Sequence, residues 1–144
     1  MEKVFEIYIK TTPERLWDAL TDAETRTKFQ FGNRVTSDWA PGSRWEMGNP
    51  AVPAPLGEGE NLEVDPPRRL VQSFMALWGD DVKAEGTSRV TWEIEPMGEA
   101  VIKLRVTHDD FDGETASYKA MAGSWLWVLC NLKTFLETGE PMPS

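Results

Sequence analysis

The 144-residue sequence has one cysteine and one histidine, and its 15 lysines and arginines are outnumbered by 24 aspartates and glutamates. Each shortage removes a class of function. A single thiol, Cys130, permits no intrachain disulfide and suits a reducing, cytoplasmic setting. Within an apolar helical stretch it reads as a small packing residue rather than a reactive group. A single imidazole, His108, excludes zinc sites built on several histidines and the His-Glu-x-x-His helix. The formal net charge of −9 lacks the basic face that gives nucleic-acid binding most of its affinity. The same acidity disfavours anionic lipid and serves solubility. No apolar stretch is long enough to span a bilayer, and the charged, alternating start MEKVFEIYIK is no signal peptide. Phosphate-cradling glycine loops and the Gly-x-Ser-x-Gly elbow are missing, so no cofactor is expected, and nothing points to a serine–histidine pair.

What is present is dominated by one stretch, from about Gly113 to Gly139. Met121, Trp125, Val128, Leu132 and Phe135 recur at steps of four, three, four and three, with Leu129 and Leu136 widening the stripe. That spacing predicts a helix with one broad apolar face. Thr115 is placed to cap its start, and Gly139 followed by Pro141 ends it. Some 24 residues at 1.5 Å each reach roughly 36 Å, enough to lie along a strand of about ten residues.

The rest of the chain reads as strands around that helix. Phe5, Ile7 and Ile9 alternate with polar residues. Thr12 can cap a helix that begins at Pro13 and buries Leu16, Trp17 and Leu20. A second short helix from Asp22 to about Phe29 closes at Gly32-Asn33. Strands follow near 35–38, 43–48, 58–64, 70–78, 88–95 and 100–108, with the three prolines between Asn49 and Gly57 reading as an exposed loop. Val90, Trp92 and Ile94 share a face, as do Ile102, Leu104 and Val106; strict alternation gives the sheet one wet face and one covered face. Residues 1–139 read as a single α+β domain, a curved antiparallel sheet of about seven strands on the long helix, and 140–144 as a loose tail.

The order, together with Pro13-Glu14-Arg15-Leu16-Trp17 after the first strand, resembles the SRPBCC (START-like, birch-pollen-allergen-like) helix-grip superfamily. The narrower resemblance is to the bacterial branch homologous to the activator of the heat-shock-protein-ninety ATPase. It rests on Pro41-Gly42-Ser43-Arg44-Trp45, on Glu63-Val64-Asp65-Pro66-Pro67-Arg68-Arg69-Leu70, on Thr107-His108-Asp109-Asp110-Phe111, and on Gly123-Ser124-Trp125 leading to Leu132-Lys133-Thr134-Phe135-Leu136-Glu137. Two details depart from the family pattern: Gly42-Ser43 replaces a glycine pair, and Ser124 separates Gly123 from Trp125. The resemblance implies a cavity between helix and sheet that holds a small apolar or amphipathic molecule. It also leaves room for a cyclase- or hydrolase-like enzyme, and for a chaperone-associated stress-response protein acting through its outer surface.

On that frame the expected apolar lining is Trp45, Met47, Phe74, Trp92, Trp125 and Leu129, with Glu60, Gln72 and His108 as polar groups of inward parity that could orient a ligand. Glu58 and Glu60 share the parity of Leu62 and Val64 unless Gly59 forms a bulge that turns them outward. An enzyme of this fold would pair His108 with an inward carboxylate as acid and base. Trp39 and Trp78 fall near strand ends, where a pocket rim is expected. Trp127 lies off the helical stripe, suited to packing under a loop or against a second copy in a homodimer. Asp109, Asp110 and Asp112 before Gly113 invite a calcium reading, but with Gly113 at the sixth place of an EF-hand loop the first falls on His108 and the twelfth on Lys119. A solvated turn at the start of the helix fits better, and no metal is expected.

Overall fold

Thr12 and Thr115 act where the sequence places them. The Thr12 hydroxyl accepts from Arg15 N–H at 3.2 Å, opening helix α1 (Pro13–Thr21), and Thr115 accepts from Tyr118 N–H, opening helix α4 (Ala116–Thr138). Each satisfies one of the four N–H groups that a helix start leaves free. Gly139, at φ 87°, terminates α4 in the left-handed conformation that glycine adopts without strain. We expect Thr12→Ala to lower stability by about 1 kcal/mol, read from the urea midpoint, with the slope of the transition unchanged.

The computed structural model describes residues 2–111 and 115–143. Asp112, Gly113 and Glu114, assigned to a turn and helix start by the sequence, lie outside the described residues. Helix α2 (Ala23–Phe29) follows α1, and among the described residues seven strands form one antiparallel sheet. They are β1 (Lys3–Ile9), β2 (Arg34–Ser37), β3 (Arg44–Asn49), β4 (Val52–Asp65), β5 (Arg69–Ala76), β6 (Thr87–Pro96) and β7 (Ile102–Asp109), in the order β1-β7-β6-β5-β4-β3-β2. Within the sheet, among the described residues, only the β1–β7 pairing joins strands distant in sequence, and it holds the first strand against the last. The sheet curves around α4, whose Trp125, Val128, Leu129, Leu132 and Leu136 are buried against it. Fully burying a leucine such as Leu132 contributes roughly 1.5–3 kcal/mol, so this face is a main source of stability. Helix α2 covers the other flank, where the Phe29 and Phe135 rings stack at 6.5 Å.

Two local expectations are corrected. The proline-rich segment is not a loop: β4 begins at Val52, and Asn49 pairs with Val52 across a tight turn from β3. Pro53 and Pro55 lie in the exposed part of the strand, where a missing N–H costs little. The segment after Trp78 contains a short helix α3 (Asp80–Lys83), which buries Val82. The third difference matters more for the site. Between Asn61 and Glu63 the register of β4 on β5 slips by one residue. Gly57, Gly59 and Asn61 therefore share the inward face with Ala76, Phe74 and Gln72 of β5, and Leu62 is turned out and 48% exposed.

Candidate functional site

Gly57 and Gly59 on β4 leave room for the side chains of Met47, Phe74 and Trp45 to lie close against the sheet, and open space remains between these side chains and α4. That space is a cavity of about 320 Å³ between β3–β6 and the N-terminal half of α4. Trp45, Met47, Phe74, Val90, Trp92 and Trp125 supply much of its apolar wall, and Phe31, Leu56, Trp78 and Ala120 lie toward its open side. The aromatic groups are interlocked. Trp45 meets Phe74 at 5.5 Å between ring centres, and Trp92 meets Trp125 edge-on at 5.3 Å. Such pairs add about 0.5–1.5 kcal/mol beyond their buried area and so help to stabilise this wall.

The structure gathers Trp45, Met47, Gln72, Phe74, Trp92 and Trp125 around the cavity and leaves three other expected residues away from it. Glu60 points to solvent on the outer face, because Gly59 and Asn61 take the inward positions beside it. Leu129, 1% exposed, is one helical turn past Trp125 and is sealed in the core. His108 is fully buried behind the cavity wall. Of the two tryptophans expected at a rim, Trp78 borders the cavity, whereas Trp39 packs against the core with φ 58°.

The His108 ring is held at both nitrogens. The Trp125 indole N–H donates to Nδ1 at 3.0 Å, and Ser88 Oγ lies 2.6 Å from Nε2. An indole nitrogen only donates, so Nδ1 is the acceptor and the neutral ring carries its proton on Nε2, toward Ser88. Phe74 and Phe111 crowd the ring at 5.5 and 4.4 Å. Burial lowers the His108 pKa to about 4, against a smaller upward pull from the Asp109 carboxylate. Asp109 itself is engaged by Arg89 in a two-pronged pair at 3.0 and 2.9 Å. His108 thus orients Trp125, and no acid–base pair is assembled with it among the described residues.

A buried polar network lies along the floor. Asn61 Nδ2 donates to Ser37 and Ser43 Oγ at 2.8 and 3.0 Å, and Asn61 Oδ1 accepts from Gln72 Nε2 at 3.0 Å. Gln72, of inward parity in the sequence, borders the cavity while its amide N–H is engaged with Asn61.

The residue that sequence reasoning passed over is Arg26. It is 3% exposed and borders the cavity. Its Nε donates to Leu20 O at the end of α1 at 2.8 Å, Nη1 donates to Gln30 Oε1, and the guanidinium lies 5.4 Å from the centre of the Trp92 ring. A signal was available: Arg26 precedes Phe29 by three in an otherwise polar short helix, which places both on one side.

The family model described as activator of Hsp90 ATPase homolog 1-like protein matches residues 10–137. Among curated proteins none matches the chain. An HSP90 activator from Plasmodium falciparum superposes with a TM-score of 0.78 at 23% identity, covering 94% of this chain and 96% of its own. A protein from Mesorhizobium loti gives the same values. The Aha1 dimer from Colwellia psychrerythraea gives 0.76 at 19% identity, covering 96% and 98%. At these identities the likeness establishes the fold and no more.

Proposed function

The chain belongs to the family of activator of Hsp90 ATPase homolog 1-like proteins, and on that footing we propose that it binds a small hydrophobic or amphipathic molecule between sheet and helix, as a carrier or sensor. The observation that supports this most is the cavity itself, about 320 Å³ and walled by aromatic and aliphatic side chains with a few polar groups. Those are the dimensions and chemistry of small-molecule sites. An enzyme working through His108 is the weaker reading, because both ring nitrogens are engaged inside the protein and no carboxylate borders the cavity among the described residues. Action on a chaperone rests on the family name and on the Plasmodium falciparum neighbour, without a feature of this chain to carry it.

Native mass spectrometry of protein purified from its own host is expected to release one small molecule at near-stoichiometric amount. Calorimetric titration with 1-octanol provides the control. Ala120 is exposed and borders the cavity, so Ala120→Trp should weaken octanol binding at least tenfold while leaving the urea midpoint close to wild type. Empty protein that also fails to bind octanol would overturn the proposal.

A further inference from the structure

At the α2 side of the cavity, the donors of Arg26, Gln30, Asn33 and Trp92 are incompletely matched by acceptors. Arg26 is charged and buried, yet its hydrogen-bond partners are neutral, the Leu20 carbonyl and the Gln30 side chain. Its Nη2 has no protein partner among the described residues. The Gln30 amide nitrogen reaches only the Met47 thioether at 3.4 Å, and the Asn33 amide nitrogen reaches that sulfur at 3.7 Å, while Asn33 Oδ1 accepts from Asn49 Nδ2 at 2.9 Å. A thioether is a weak acceptor. The Trp92 indole N–H, in the ring beneath the guanidinium, is buried with no partner among the described residues. Arg26, Gln30, Asn33, Met47 and Trp92 all border the one cavity, and no carboxylate does so among the described residues.

Burying a cation without a counter-ion is costly, and a protein with 24 acidic residues had many available. Desolvation lowers the Arg26 pKa to about 10, so the group is still charged at neutral pH. Its Nε bond closes the end of α1, which accounts for one edge of the guanidinium and leaves the other facing the cavity. A planar guanidinium with an open edge is matched by a planar carboxylate.

We propose that the molecule held in this cavity is an amphipathic carboxylic acid, its carboxylate seated on Arg26 and its apolar body against Trp45, Phe74 and Trp125. This specifies the ligand class and rests on the carrier function proposed above. It accounts for the contrast between an acidic exterior and a cavity whose only charged border is cationic, among the described residues.

Octanoate and 1-octanol, alike in chain and different in head group, test the idea by calorimetry. Wild-type protein should bind octanoate at least tenfold more tightly than octanol. Arg26→Met should abolish that preference while changing octanol affinity less than threefold. Equal binding of the two probes by wild type overturns the carboxylate proposal and leaves the carrier function standing; binding of neither overturns both. Should Arg26→Met fail to fold, carbon-13 NMR of [1-¹³C]octanoate bound to wild type at pH 6 decides the matter. An apolar cavity raises a carboxyl pKa and a facing guanidinium lowers it. An ionised carboxyl is the expected result, and a protonated one overturns the proposal.

Discussion

Lowering the pH from 7 to 4 is expected to remove about 3 kcal/mol of folding free energy through His108. The unfolded chain takes up a proton on this histidine near its ordinary 6.5, whereas the folded chain does so only near 4. Between those values the unfolded state binds more protons, so acid favours unfolding, and the full contribution is restored only above 6.5. The span from 6.5 to about 4, at 1.36 kcal/mol per pH unit, gives a ceiling of about 3.4 kcal/mol that is reached only below pH 4. The structural cause is specific. A protonated Nδ1 would point at the Trp125 indole N–H, two donors facing each other at 3.0 Å, within a shell of Phe74 and Phe111. Urea unfolding at pH 7, 6, 5 and 4 measures the effect. His108→Gln should be less stable at pH 7 and almost flat across the interval, since an amide can replace both hydrogen bonds without titrating. Glu137 and Asp22 are held below their ordinary values by Lys133 and Thr25 respectively, so their contributions begin to be lost only as the pH falls through about 4.5 and 3.8, at the acid end of the histidine window and below it. A wild-type profile as flat as that of the variant would show that the imidazole is not confined as described.

His108 also marks where the sequence stopped being informative. Its parity with Leu104 and Val106 was readable, and all three are buried. What the sequence could not supply were Ser88 and Trp125, 20 and 17 residues away, which turn an inward histidine into a closed support for the wall. Periodicity served well wherever one side of an element is buried. It located α4, both capping threonines, and the β6–β7 hairpin in which Trp92 faces Val106 and Ile94 faces Leu104. It served badly on β4, where prolines masked the start of the strand and a one-residue slip reversed the outer half. Arg26 escaped for a different reason. A charged residue on a short polar helix is ordinarily solvated, so its spacing from Phe29 was a weak signal beside the tertiary position of α2 against Trp92, which buries the cation.

Among the described glycines, Gly59 should tolerate an added methyl least, Gly59→Ala costing about 3 kcal/mol. A Cβ at Gly59 would lie 1.9 Å from the Ser73 carbonyl oxygen and 2.6 Å from the Trp45 indole nitrogen. The first obstacle is backbone, so no rotamer change relieves it. Beside Gly59 the ordinary pairing of β4 with β5 is interrupted between Glu58–Met75 and Asn61–Gln72. Side chains fill the gap: the Trp45 indole N–H donates to Ser73 O at 3.0 Å, and Ser73 Oγ accepts from Glu60 N–H at 2.9 Å. The missing side chain at Gly59 is therefore what lets Trp45 lie down into the sheet and form a wall of the cavity. Gly57→Ala is the matched control. Its Cβ would meet the Met47 methyl at 3.4 Å and other atoms at 3.6 Å, ordinary contact, and alanine reduces the entropy of the unfolded chain. Its urea midpoint should stay within about 1 kcal/mol of wild type in either direction. If the two alanines destabilised equally, the effect would belong to glycine in a strand generally and not to the seating of Trp45. If only Gly59→Ala did so and it also lost octanol affinity, one residue without a side chain would link the stability of the sheet to the existence of the cavity.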